Sequence, residues 1–219
     1  MVLAPQASAA TPLRQNDGMS LASAPEGALA ASISAGGYHT CARRAGGVLR
    51  CWGNDTDGQA TPPVDTFSLV SSGAYFTCAL RRIGASPMCW GDNSFDQVID
   101  APTGTNLVSV SVGDTHACGL RYNFEIVCWG NDTDGQATPP VGSFAALSAD
   151  GRHTCAVWPF GNVECWGDNT AGQTDAPSGK FASVSAGDAH TCGLKTDGTV
   201  ICWGDDSKNQ ASPPSGAFT

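Results

Sequence analysis

The tripeptide Cys-Trp-Gly occurs five times, at Cys51-Trp52-Gly53, Cys89-Trp90-Gly91, Cys128-Trp129-Gly130, Cys165-Trp166-Gly167 and Cys202-Trp203-Gly204, at intervals of 38, 39, 37 and 37 residues. Each copy follows a second cysteine, at Cys41, Cys78, Cys118, Cys155 and Cys192, and eight residues before that lies an apolar residue, Ile33, Val70, Val110, Leu147 or Val184. Residues 51–64 and 128–141 are identical, CWGNDTDGQATPPV. A period of this length marks a stack of supersecondary units, none of which can bury its faces alone.

The fifth copy, Cys192-GLKTDGTVI-Cys202, reads as a hairpin turning on Thr196-Asp197-Gly198, with the glycine in the left-handed position. That register sets Lys195 against Thr199, Leu194 against Val200 and Cys192 against Cys202. The cysteines then fall at a closely spaced, non-hydrogen-bonded site, about 4.5 Å between Cα atoms, which a disulfide accepts. Strand alternation puts Cys192, Leu194, Val200 and Cys202 on one apolar face. Cys118, Leu120, Ile126 and Cys128 repeat the pattern, as do Cys155, Val157, Val163 and Cys165. Arg43 takes the inner place in the first unit, and the second has one extra residue and Pro87, so its turn must differ. The predicted bridges are Cys41 with Cys51, Cys78 with Cys89, Cys118 with Cys128, Cys155 with Cys165, and Cys192 with Cys202. Zinc sites prefer two to four residues between neighbouring thiolates; the gap here is nine, or ten in one unit.

Ten regularly spaced cysteines point to an oxidising location: extracellular, periplasmic or on a cell surface. The 27 glycines and 13 prolines suit short strands and tight turns. A net charge of -9, with no basic run, argues against a nucleic-acid partner. No segment is long and apolar enough to insert into a membrane as a helix. Residues 1–29, rich in Ala, Ser and Pro, read as a linker or leader remnant.

A third strand is expected upstream of each hairpin, opened by Phe67, Leu107, Phe144 and Phe181 in units two to five and by Ala30 in the first. Its Ser, Ala and Gly residues suit a crowded position near an axis. The units run over about 30–66, 67–106, 107–143, 144–180 and 181–217, with the start of a sixth at 218. The fold class is all-β: a β-propeller of five short, mainly three-stranded blades, one disulfide each, either closed as a small ring or an incomplete ring whose ends are covered by the N-terminal segment, by another subunit through self-association, or by a missing portion.

The run SAGDAHTCGLKTDGTVICWGDDSKNQ resembles the repeat of the regulator of chromosome condensation superfamily, with its Gly-x-x-His, DG hairpin, Trp-Gly and Gln-containing loop. The resemblance covers about residues 30–217 and implies a propeller. Family members often have seven blades, against five units here. The short units are similar to those of secreted propeller-type β-lactamase inhibitors, and the paired cysteines to those of crinkly-type receptor ectodomains.

His39, His116, His153 and His190 precede the first cysteine of four units by two residues, with Phe76 in the remaining unit. A ring of imidazoles suits a metal or anion, but a position imposed by the repeat reads as structural, with hydrogen bonding inside each blade. The loops Asn54–Gln59 and Asn131–Gln136 superficially resemble part of a calcium loop without its further acids and terminal Glu. Asx-turn chemistry explains them, with Gln59, Gln97, Gln136, Gln173 and Gln210 bonding loop backbone. No metal or cofactor is expected. Asn54 and Asn131 head glycosylation sequons in a eukaryotic secretory setting. Five aromatics break the repeat and are the partner-contact candidates: Trp158, Phe160, Tyr122, Tyr75 and Phe95. No nucleophile stands beside a base in the pattern. The expected role is a non-catalytic extracellular binding module recognising a protein or glycan. The alternative is a secreted enzyme inhibitor, and a small-GTPase exchange factor is the remote reading, opposed by the disulfides and the acidity.

Overall fold

The computed structural model describes residues 33–218, so the expectations for residues 1–29 and for Ala30 lie outside the described residues. The described chain is fifteen strands in five antiparallel three-stranded sheets, each in the order first, second, third. Blade 1 holds β1 (Ile33–Ala35), β2 (His39–Arg43) and β3 (Leu49–Gly53); blade 2 holds β4 (Phe67–Ser72), β5 (Phe76–Arg81) and β6 (Pro87–Gly91). Blade 3 holds β7 (Leu107–Val112), β8 (His116–Arg121) and β9 (Ile126–Gly130). Blade 4 holds β10 (Ala146–Asp150), β11 (His153–Val157) and β12 (Val163–Gly167); blade 5 holds β13 (Phe181–Ala186), β14 (His190–Lys195) and β15 (Val200–Gly204).

The hairpin register is the expected one. Cys192 faces Cys202 and Leu194 faces Val200, while the Lys195 N–H donates to the Thr199 carbonyl at 2.8 Å and Gly198 has a φ of +85°. All five disulfides lie within a blade, with Cα atoms 4.0 to 4.1 Å apart. In blade 2 the extra residue is taken up in a longer turn with Gly84 and Ala85 at positive φ, and Leu80 faces Pro87.

Alternation explains how these sheets become a core. The face carrying each disulfide packs on the following blade: Cys41 and Leu49 lie against Val70, Ala79 and Trp90, and Cys78, Leu80 and Cys89 lie against Val110, Ala117 and Trp129. Leu120 and Ile126 meet Phe144 and Trp166 in the same way, and Cys155 and Val163 meet Phe181 and Trp203. Burying each large apolar side chain contributes roughly 1.5–3 kcal/mol, which no single sheet could secure by itself. Strand packing accordingly joins blades 1 to 2, 2 to 3, 3 to 4 and 4 to 5.

Phe67, Leu107 and Phe181 open their strands, each with a register shift just after it. Phe144 does not; it stands two residues before β10, because its sheet pairs continuously from Ala146. All four side chains are buried, and each backbone N–H donates to a turn carbonyl of the preceding blade, as in Phe67 to Gly47 at 2.8 Å and Phe144 to Phe124 at 2.7 Å. Phe218 makes the same bond to Gly198 at 2.7 Å.

Polar latches complete each junction, and here one expectation needs correction. The histidines bond between blades, not within them: Nε2 of His39, His116 and His153 lies 2.5, 2.8 and 2.7 Å from the hydroxyl of Thr77, Thr154 and Thr191 in the next blade. The reason is direction. Histidine lies two residues before the first cysteine and so shares its face, which is the face turned to the neighbour. Where Phe76 replaces histidine, Ala117 replaces threonine, and the junction is apolar. The Trp90, Trp129, Trp166 and Trp203 indole N–H groups donate to the Gln59, Gln97, Gln136 and Gln173 carbonyls of the blade before, at 2.8 to 3.0 Å. The glutamine side chains, as expected, accept from their own loop backbone, as in Asp57 N–H to Gln59 Oε1 at 2.9 Å.

Candidate functional site

The turns between first and second strands gather at one end of the sheets around a cavity of about 540 Å³. All five blades line it, with small residues on the inner strands as the sequence suggested: Ala35, Ser71, Ser72, Ala149 and Ala186. The walls approach closely; a Cβ on Gly73 would stand 2.0 Å from the Gly113 carbonyl. The Gly37 N–H donates to Gly73 O at 3.1 Å and the Asp114 N–H to Gly151 O at 2.9 Å, so adjacent turns are stitched together.

Around the rim stand two tyrosines and three aspartates: Tyr38, Tyr75, Asp114, Asp150 and Asp188. The Tyr38 and Tyr75 rings lie 5.4 Å apart, centroid to centroid. Burial pushes the Asp114 carboxyl above the usual carboxylate range, and the charges of Asp188 and Asp150 push it further. Burial also raises Asp150, reinforced by Asp188 and opposed by the Gly151 N–H bonded to it. The Tyr75 hydroxyl is raised by the Tyr38 hydroxyl beside it and, less, by the Asp114 charge. Among the described residues no group of three or more His, Cys, Asp or Glu side chains is set to hold a metal ion.

A second cavity of about 330 Å³ adjoins the first through Tyr75 and Asp114, and adds Phe95, Asn131, Thr133 and Arg152. Arg152 is bonded to Asp134 and partly offsets the charge on Asp114. Acidic, aromatic and concave surface therefore share one end of the sheets. Such a surface favours a cation, through carboxylate attraction and the electron-rich ring faces.

The five candidate aromatics divide between opposite ends. Tyr75 and Phe95 meet in the second cavity. Tyr122, Trp158 and Phe160 follow second strands and so lie at the hairpin-tip end. Trp158 is half-buried, 4.4 Å from the Phe144 ring, with its N–H donating to Glu164 at 2.9 Å; it packs the blade and, with Phe160, borders a shallow cavity of about 570 Å³. Phe160 is 84% exposed and Tyr122 68%, and Tyr122 borders none of these cavities. Of the two sequon asparagines, Asn54 is exposed, while Asn131 is buried and donates its amide to Thr115 at 3.2 Å. The Asp55 carboxylate is engaged by its own loop, accepting from the Ala60 N–H at 2.8 Å and the Thr61 hydroxyl at 2.6 Å.

Tyr38, Asp114, Asp150, Asp188 and Arg152 were missed in the sequence. Their signal was there: they vary inside the frame that ends at each histidine or Phe76, as in Gly37-Tyr38-His39 and Gly113-Asp114-Thr115-His116.

Fold and junctions define a disulfide-pinned propeller repeat protein. Residues 30–59, 107–136 and 181–210 match the regulator of chromosome condensation (RCC1) repeat, so the chain carries three segments similar to that repeat. It is similar to the ectodomain of the receptor kinase CR4 of Physcomitrella patens, with 30% identity and a TM-score of 0.69 over 79% of this chain and 49% of that one. The crinkly ectodomain of the Arabidopsis thaliana receptor kinase ACR4 matches at 29% identity and 0.69, over 78% of this chain and 64% of that one. The chain thus spans about half of one receptor chain and under two thirds of the other. Prp20p of Saccharomyces cerevisiae, described with its binding to Gsp1p and histones, has 14% identity and a TM-score of 0.71 over 85% of this chain and 60% of that one, a likeness of fold alone.

Proposed function

We propose that this chain is a non-catalytic extracellular binding module whose axial face receives a positively charged side chain of a protein partner. One observation carries the reading: the adjacent, mutually tilted Tyr38–Tyr75 pair and the Asp114, Asp150 and Asp188 carboxylates ring a single cavity. Five disulfides and the likeness to receptor ectodomains support an extracellular setting. The non-catalytic reading rests on the histidines: three are committed to blade junctions, which leaves them no role as bases at the rim.

The test is titration with short peptides that carry Lys or Arg at a turn, beside the same peptides with Gln. Basic peptides should bind, lose affinity as salt rises, and bind about tenfold more weakly or worse to Asp114→Asn/Asp188→Asn and to Tyr38→Ala. Sugar rings also stack on tyrosine, so a glycan array forms the second arm. Glycan binding that the Asp substitutions leave unchanged would refute the cationic ligand. An inhibitory role would draw on the other end, where Phe160 projects from a hairpin tip. An inhibition panel with Phe160→Ala as control tests that second reading.

A further inference from the structure

The two ends of the sheets differ in charge. Hairpin tips, together with the segments that enter the first strands, form the end away from the axial cavity. At that end, or on the two strand residues next to it, lie eight of the ten basic residues of 33–218 and only four of the eighteen acidic ones, in a chain whose net charge is -9. Two of the four acids are already met there, Asp65 by Arg81 at 3.2 Å and Glu125 by Arg121 at 3.6 Å. Arg44 and Arg82 are exposed at the tips of blades 1 and 2 with no carboxylate partner among the described residues. The strands between the two ends, mostly of five or six residues, span about 16–20 Å, whereas salt screens charge over about 8 Å at physiological strength. A ligand at the tips therefore meets the local positive charge and little of the acidic rim.

The same tips project apolar side chains into water. Ile83 in blade 2 is 87% exposed, and Tyr122 and Phe124 in blade 3 and Phe160 in blade 4 are exposed beside it in the list of large apolar groups that no sheet covers. Phe124 bears most on what they do. Its carbonyl accepts the N–H of Phe144, as the Gly47, Gly161 and Gly198 carbonyls accept those of Phe67, Phe181 and Phe218, so the four hold one repeat position. There φ is +85° to +92° in the glycines and +68° in Phe124. A left-handed backbone suits glycine and is an outlier for a bulky residue, so blade 3 presents a phenyl ring where its own turn favours none. The tips are also held in place: the Arg82 N–H donates to Thr66 O at 2.9 Å and the Tyr122 N–H to Asn106 O at 3.1 Å.

We infer that the hairpin-tip end docks on the surface of a bilayer containing anionic phospholipid, with Ile83, Tyr122, Phe124 and Phe160 seated among the headgroups and the basic residues around them on lipid phosphates. Apolar and aromatic side chains favour the boundary between headgroup and acyl chain, and each Lys or Arg beside an anionic leaflet adds to the attraction. The four prongs stand on three blades at one end, so a broad surface reaches them together, whereas a single polyanion strand would follow the charges alone. Docking in this way leaves the axial cavity facing away from the bilayer. The inference is independent of the ligand proposed for that cavity.

The experiment is cosedimentation of the full chain with vesicles of phosphatidylcholine, alone or mixed with phosphatidylglycerol, at low and high salt. Binding should require phosphatidylglycerol and fall as salt rises. Arg82→Glu should weaken it about tenfold or more, whereas Lys208→Glu, the same change of net charge on an exposed loop at the opposite end, should leave it unaltered. Phe124→Gly should keep or raise the melting temperature and yet weaken vesicle binding, a pair of effects that a misfolded variant cannot give. Phe160→Trp should add emission that lipids brominated in their acyl chains quench. Vesicle binding untouched by Phe124→Gly, or without that quenching, overturns the seating of the prongs. Retention on heparin without binding to vesicles overturns the bilayer in favour of an acidic polysaccharide, and an absence of vesicle binding at low salt overturns the inference outright.

Discussion

Exchanging two of the histidine latches for the apolar version already present in the molecule should make the protein resistant to acid. Phe76 against Ala117 occupies the site that His116 and Thr154, or His153 and Thr191, occupy at the next two junctions. His116 and His153 are fully buried, and burial lowers both to about 4 from an ordinary 6.5. A folded pKa below the unfolded one means that the unfolded chain takes up protons first. The stabilisation is therefore complete above pH 6.5 and is lost as pH falls toward 4. At pH 4 an unfolded imidazole is almost fully charged while the folded one is half charged, a linkage cost of about 3 kcal/mol per histidine. Two such groups cost about 6 kcal/mol, comparable with the whole stability of many domains.

The double replacement, His116→Phe/Thr154→Ala with His153→Phe/Thr191→Ala, should therefore lose about 6 kcal/mol less than the parent between pH 7 and pH 4. At pH 7 the two should differ little, since the exchange reproduces a packing the fold already accepts. Urea unfolding at both pH values, with disulfides intact, reads the difference from midpoint and slope. The raised carboxyls of Asp114 and Asp150 act in the opposite sense: their stabilisation is present below the unfolded carboxylate pKa and lost as pH rises through the folded one. Both proteins share them, so they cancel in the comparison. Equal losses of stability in parent and variant would refute the claim that the latch histidines are held neutral.

Replacing Cys118 and Cys128 together by serine should cost about 3 kcal/mol in the loop-entropy account, seen as a lower melting temperature that reductant no longer shifts at that blade. Gly73→Ala drives a methyl group to 2.0 Å from the Gly113 carbonyl, and the backbone shift this demands should cost at least about 1–3 kcal/mol; an unchanged melting temperature would mean that the inner strands are looser than described. Secreted from a glycosylating host, the chain should carry glycan at exposed Asn54 and little at buried Asn131, as glycosidase digestion and peptide mass would record.

Period and alternation together make the blades legible in the sequence. The spacing of Cys192 and Cys202 about Asp197-Gly198 admitted one register, and one-sided apolar patterning named the face that would be covered. What covers that face was not legible, because the contact of His116 with Thr154 lies between residues 38 apart and owes nothing to local pattern. For the same reason the histidine was placed inside its own blade, although its sharing a face with cysteine already implied otherwise. The axial site was hidden differently. Repeats draw attention to what recurs, but the acidic and aromatic rim stands at positions where the repeat varies, and Tyr38, Tyr75, Asp114, Asp150 and Asp188 become neighbours only when five blades bring their first turns to one axis. Trp158 shows a second role for an aromatic outside the repeat: its ring lies on Phe144 and its N–H on Glu164, so part of it packs the blade while it also borders the cavity beside Phe160. Departure from a repeat locates a candidate, and the surface it leaves exposed is where a partner would be sought.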